Sequence, residues 1–358
     1  MKLDKVLKVA IRGGASDIIL KTGAIPRFRF NGELLSLSDG EEVSAALMEE
    51  WISMLVPKHM HPRLRELVDI DFSYATTDGH RFRVNLFRQS QNFGLVLRVI
   101  NSHIKTIEEL KLPAIMHEFP KMHRGLILVT GATGSGKSTT LSAIIEKINS
   151  TRASHIITIE DPVEFVFKEK KSTINQREIG TDTPDFSSAL RSALRQNPDV
   201  IFVGELRDKE TTETALMAAE TGHLVLSTLH TMDAVESLTR LLSYFPPYQH
   251  ESLKIMLAQT LNYVVSQRLI PRIDQGGLVP AIEILAANEF VREEILKGDD
   301  FRVLKDSIKN SQQSFGMQSF DQSLLSLVKK KIITEKVALE NATNKKDLEL
   351  SLRGFSNN

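Results

Sequence analysis

Eight residues, GATGSGKS from Gly131 to Ser138, constrain this chain more than any other stretch. They match the pattern G-x-x-x-x-G-K-[ST], follow the continuous apolar run Gly125–Thr130 and open a helix-forming segment. A glycine-rich loop between a buried strand and a helix turns its backbone N–H groups inward and approaches phosphate oxygens closely. The helix N-terminus adds the positive end of its dipole. Lys137 brings an ammonium to the β- and γ-phosphates, and the Ser138 hydroxyl is a ligand for Mg2+. Gly131, Thr133, Gly134, Ser135, Gly136 and Thr139 complete the expected cradle. The predicted ligand is ATP with Mg2+.

Such a site also needs a carboxylate near the metal and a group that orients water. In VIFVGELRD, Val200 to Asp208, an apolar strand ends in Gly204 and then Glu205, the only acid at the tip. Glu205 is therefore expected in the Mg2+ shell, through water. In ITIEDPVEF, Glu160, Asp161 and Glu164 cluster after another strand. The carboxyl ends of parallel strands form the crevice where ligands bind. Glu164 is the candidate for polarising water, with Glu160 and Asp161 supporting the metal shell. In TGHLVLSTLHT, His223 and His230 flank an apolar strand seven positions apart. An odd offset puts them on opposite faces, and there is no cysteine to complete a zinc site. They read as two separate residues. His230 is expected near the γ-phosphate, and His223 to couple the strand to a neighbouring element or subunit.

Around these motifs the pattern changes along the chain. Residues 1–100 read as a small α+β unit: a helix near Asp4–Arg12, strands at Ser16–Leu20 and Arg27–Asn31, an Asn31-Gly32 turn, and a helix at Glu42–Val56 ended by Pro57. Further strands are expected at Ile70–Tyr74, Arg81–Phe87 and Gly94–Ile100. Phe82, Val84 and Leu86 alternate with Arg81, Arg83 and Asn85, giving one apolar and one basic face. Residues 101–120, with Pro113 and Pro120, read as a linker. From residue 121 onward apolar strands alternate with amphipathic helices, predicting a parallel sheet covered on both faces. The region from about 288 to 358 reads as helical, with a capping box at Ser319 and Gln322.

Composition removes several alternatives. Lys+Arg 45 balances Asp+Glu 45, so no overall field recruits nucleic acid. No window approaches ~18 uninterrupted apolar residues, so no direct membrane insertion is expected. The reading is an intracellular, globular α/β protein.

Taken in order, GATGSGKSTT, ITIEDPVEF, NPDVIFVGELRD and AETGHLVLSTLHT resemble the four boxes of the secretion ATPase superfamily, most closely type IV pilus retraction motors of the PilT/PilU kind. The likeness extends from GGASDIIL through RFRVNLF, TINQREIGTD and SQRLIP to FGMQSFDQSL. It implies an N-terminal PAS-like α+β domain, a RecA-like P-loop ATPase domain with a helical C-terminal region, and a homohexamer hydrolysing ATP to retract pili. It places Glu205 as the acid after the strand and Glu164 as catalytic base. It also assigns Arg83 and Arg98, with Arg81 beside them, to the nucleotide phosphates, a task suited to planar, permanently charged guanidinium groups. Expected partners are an inner-membrane pilus platform protein and a paralogous pilus ATPase, at the cytoplasmic face of the inner membrane. The family's helix reading AIRNLIRE aligns with EFVREEILKG, Glu289 to Gly298, a poor match that leaves main motor and accessory paralogue both open. Assembly or type II secretion ATPases are a second reading, disfavoured because the chain opens at the PAS-like unit and lacks cysteine. A nucleotide-gated scaffold with little turnover is a third.

Overall fold

The computed structural model describes residues 2–30, 32–36, 40–64, 69–100, 104–274, 276–298 and 300–354. It divides into two units, Met1–His103 with Glu164–Val166, and Ile104–Val163 with Phe167–Asn358.

The first unit is built on a six-stranded antiparallel sheet. Its strands are β1 (Asp17–Lys21), β2 (Arg27–Phe30), β3 (Glu33–Ser36), β4 (Asp69–Ala75), β5 (Arg81–Gln89) and β6 (Asn92–Ile100), in the order β3-β2-β1-β6-β5-β4. Alternation along β5 buries Phe82, Val84 and Leu86 and turns Arg81 and Arg83 to the other face. The buried side packs on α1 (Leu3–Gly13) through Leu3, Val6, Leu7 and Ala10, and on α2 (Ala45–Leu55) through Met48, Trp51, Ile52 and Leu55. Ser44 caps α2 by accepting from the Leu47 N–H, and the helix stops two residues before Pro57. Asn31, half of the expected hairpin turn, lies outside the described residues.

The second unit holds seven strands: β7 (Gly125–Thr130), β8 (His155–Glu160), β9 (Thr173–Glu178), β10 (Val200–Val203), β11 (Leu224–Leu229), β12 (Leu261–Pro271) and β13 (Leu278–Ala286). Their order is β13-β12-β7-β11-β10-β8-β9. All neighbours run parallel except β12 and β13. Every residue of β7, β10 and β11 is buried, as expected of strands covered on both faces. The helices α3 (Lys137–Thr151), α4 (Phe186–Ala193), α5 (Lys209–Glu220), α6 (Ala234–Ser243), α7 (His250–Thr260) and α8 (Glu289–Lys297) provide that cover. Then come α9 (Leu304–Asn310), whose Leu304 and Ile308 join the main core, the single turn α10 (Gln312–Phe315), and α11 (Phe320–Lys329), α12 (Glu335–Asn341) and α13 (Lys345–Leu352), which share a small core of their own on β12 and β13. The capping box forms as expected: the Ser319 hydroxyl accepts from Gln322 N, and the Gln322 side chain accepts from Ser319 N.

The structure differs from the sequence expectation in three places. The sheet is not wholly parallel, because β13 pairs antiparallel with β12 at the edge. Strand β9, TINQRE, was not expected; it is an edge strand in which Ile174 alone is apolar, so it carries no apolar signal. The stretch read as a linker, 101–120, is from Ile104 onward part of the second unit, whose core takes in Ile107, Leu112, Met116 and Phe119.

Candidate nucleotide-binding site

Parallel register sets the site. Strands β7, β11, β10 and β8 lie side by side in that order. The residues just beyond their carboxyl ends therefore gather along one edge: the loop Gly131–Gly136 after β7, His230 after β11, Gly204 and Glu205 after β10, and Asp161 after β8.

Gly131, Gly134 and Gly136 all have positive φ, at 144°, 78° and 87°, values that favour glycine. Gly136 is the N-cap of α3 and supplies no side-chain acceptor, so the N–H donors of the first turn are left for a ligand. Lys137 is only 8% exposed, and its ammonium donates to the carbonyl oxygens of Gly131 at 2.8 Å and Ala132 at 3.1 Å. Burial lowers its pKa, and the charge of Glu205 opposes that shift. The Ser135 hydroxyl is buried without a partner inside the loop, an orphan that a phosphate oxygen would satisfy. These features fit a polyphosphate. Ser138 sits one residue inside α3 and Thr139 after it, both half-buried.

Both oxygens of Glu205 face nitrogen partners. Oε1 lies 2.5 Å from an Arg207 nitrogen and Oε2 lies 3.3 Å from His230 Nε2. His230 Nδ1 in turn is 3.5 Å from the Thr133 hydroxyl in the phosphate loop, so the imidazole bridges loop and acid. Arg207 is held charged chiefly by its hydrogen bond to Glu205, and also by the charges of Glu205 and Asp161. Strand β11 fixes the Glu205 segment: Thr228 Oγ1 donates to the Gly204 carbonyl and Ser227 Oγ to the Val203 carbonyl, each at 2.6 Å. Gly204 stands where many such strands carry an acid, and β8 passes close to it. A Cβ there would sit 3.2 Å from the Ile159 carbonyl oxygen.

The remaining candidates fall in different places. Glu160 is 6% exposed and accepts from the Thr158 hydroxyl at 2.6 Å and from Gln176 at 3.3 Å. Asp161 is exposed at the tip of β8. His223 lies at the opposite end of β11 from His230; its Nδ1 is 2.8 Å from the Ala218 carbonyl, closing the last turn of α5. Arg83, Arg98 and Arg81 belong to the first unit, and Glu164–Val166 group with it as well. Arg83 and Arg98 stand directly opposite each other on β5 and β6. Arg98 Nε donates to Asp17 at 2.9 Å and Arg83 Nε lies 3.9 Å from Asp71, while the Arg98 side chain remains 69% exposed. Arg81 is half-buried opposite Ile100.

Three participants had no signal of their own in the sequence. Arg207 looked like an ordinary loop charge. Thr228 looked like a strand residue. Gln267, 2% exposed on β12, donates from Nε2 to the Ser135 carbonyl at 2.6 Å and accepts from Thr140 Oγ1 at 2.8 Å. Among the described residues no group of three or more His, Cys, Asp or Glu side chains could hold a metal ion. A Mg2+ ion here would depend on Ser138, phosphate oxygens and water, with Glu205 outside the water.

Fold and site together define a P-loop nucleotide-binding protein with a RecA-like sheet. A profile described as Type II/IV secretion system protein matches residues 1–312, and the chain belongs to that family. A twitching motility protein of Neisseria gonorrhoeae is 42% identical over 323 residues, covering 90% of this chain and 86% of that protein. The type IV pilus retraction ATPase PilT of Pseudomonas aeruginosa is 40% identical over 346 residues, covering 96% and 98%. A crystal structure of the pilus retraction motor PilT with bound ADP matches with a TM-score of 0.89 at 43% identity, covering 98% of this chain and 99% of that one.

Proposed function

We propose that this chain is an ATP-hydrolysing motor that powers type IV pilus retraction. The observation that carries the reading is the linked set Thr133–His230–Glu205–Arg207 beside a buried P-loop lysine. It joins the phosphate loop to the acid of the next strand but one, so a change at the γ-phosphate is felt at both. ATP hydrolysis needs positioning and charge stabilisation more than covalent chemistry. The loop N–H groups, the α3 N-terminus and Lys137 receive the phosphates. Bound Mg2+ would neutralise phosphate charge, held by Ser138 and, through water, by Glu205. Glu205 keeps His230 oriented, and His230 reports to Thr133. From the family resemblance we assign Glu164 to polarising water and Arg83 and Arg98 to the phosphates.

The same reading makes the chain a homohexamer, working at the cytoplasmic face of the inner membrane against a platform protein, alongside a paralogous ATPase. Among the described residues no helix is long and apolar enough to cross a membrane. Helix α8, the poor match to the family's AIRNLIRE helix, turns Arg292 inward to the carbonyls of Ala258 and Leu261 and leaves Phe290 and Leu296 exposed, at 41% and 45%. Those two side chains are its outward surface for a partner.

The test is genetic. Deleting the gene and restoring it with Lys137→Ala is expected to leave pili assembled but unretracted. Loss of pili, or retraction at the wild-type level, would contradict the reading.

A further inference from the structure

We infer that Gln267, on strand β12, is a positioning residue that aims the phosphate loop. This rests on the nucleotide-site reading and adds a residue to it. A loop carrying three positive-φ glycines is costly to order, since each glycine loses more backbone freedom than other residues. The loop is tied to β7 at one end and runs into α3 at the other, and Gln267 holds it between those points. The side-chain amide spans Ser135 and Thr140, donating to the Ser135 carbonyl and accepting from the Thr140 hydroxyl.

The chemistry of the partners sets the amide's orientation. A carbonyl oxygen only accepts, so the NH2 end must face Ser135 and Oε1 must face Thr140. The peptide plane then does the rest. In a trans peptide the C=O of Ser135 and the N–H of Gly136 point in opposite directions. Pinning that carbonyl to Gln267 therefore turns the Gly136 N–H away from β12, with Lys137 next in sequence. The same contact explains two of the glycines. A Cβ on Gly136 would lie 2.8 Å from Gln267 Nε2, and one on Gly131 would overlap the Gln267 backbone oxygen. Glycine at these positions lets β12 approach the loop, besides letting the loop approach phosphate. Glutamine suits the position where glutamate does not. An ionised carboxylate there would face the Ser135 carbonyl with no proton to donate and would place negative charge beside the phosphates.

The experiment uses the full chain with Gln267→Leu and Gln267→Glu, measuring the Kd for ADP and the kcat and KM for ATP between pH 6 and 8. Gln267→Leu is expected to weaken ADP binding about tenfold, the equivalent of ~1.4 kcal/mol, with KM rising more than kcat falls. Gln267→Glu is expected to lose more at pH 8 and to recover as pH falls. Burial raises a carboxyl's pKa, and the protonated form regains a donor for Ser135. A packing role alone would not give that recovery. If either variant fails to fold, Thr140→Val removes only the donor that orients the amide, and about a threefold weakening is expected. Folded variants that bind ADP within about twofold of wild type at both pH values overturn the proposal. Equal losses at pH 6 and 8 in Gln267→Glu overturn it too, as does unchanged binding in Thr140→Val. A wild-type chain that binds no ADP overturns the nucleotide reading beneath it instead.

Discussion

His230 shows what one residue contributes when its two ring nitrogens face different partners. Nε2 meets Glu205 and Nδ1 meets Thr133, while the side chain stays 49% exposed. A contact made by a side chain this exposed contributes little to stability. Its value is therefore in orientation, and His230→Ala is expected to leave the fold and nucleotide binding nearly intact while turnover falls by about tenfold or more. Equilibrium binding measured beside single-turnover rates separates the two effects; unchanged turnover returns His230 to a structural role. The tip position of His230 was legible because it comes directly after an apolar strand. The partner Arg207 was not, since nothing in LRD distinguishes a charge that folds back on Glu205 from one in solvent. His223 was legible as separate from His230, but its hydrogen bond to Ala218 depends on where α5 ends, which spacing alone does not reveal.

Among elements, those with strong periodicity were the legible ones. Strand β10 and the alternating β5 carry clear apolar patterns, and the capping box marks the start of α11. The β12–β13 pair did not announce itself. Ser266 and Gln267 are buried polar residues of β12, and β13 carries Glu283 and a proline, Pro280, within its run. Those polar residues are the ones that matter for the site and its surroundings. Glu283 lies opposite Ser266, whose hydroxyl meets Thr130 at the end of β7. It accepts from the Ala234 N–H at 3.0 Å and lines a cavity of about 520 Å³ with Asp233, Arg268 and Lys305. Burial raises its pKa to about 7, helped by Asp233 and opposed by the Ala234 N–H, Arg268 and Lys305. The folded chain thus holds this proton more tightly than an unfolded carboxyl, and stability falls as pH rises from about 4.5 to about 7. Glu283→Gln keeps the acceptor and removes the charge. Thermal unfolding at pH 5 and pH 8 is expected to show the variant more stable than wild type at pH 8, by about 1–3 kcal/mol, and similar at pH 5. A variant less stable at pH 8 would mean that the charge is compensated by Arg268 and Lys305.

For the whole molecule, the order of motifs carried the architecture. Apolar strands alternating with helices require a parallel sheet, and a parallel sheet brings its carboxyl ends to one edge. That is why residues as distant in sequence as Lys137, Glu205 and His230 are legible as one group from the sequence alone. Composition could not show where 104–120 packs, because Pro113 and Pro120 break the stretch into short turns, and the burial of Ile107, Leu112, Met116 and Phe119 depends on the second unit's core. The grouped residues are expected to turn over ATP. Steady-state phosphate release by the purified chain, beside Lys137→Ala and Glu205→Ala, tests this most directly. ATP-dependent release by wild type and a loss of at least about a hundredfold in each variant are the expected results. Variants that hydrolyse ATP at the wild-type rate, or a wild type that binds ATP without releasing phosphate, would contradict this expectation.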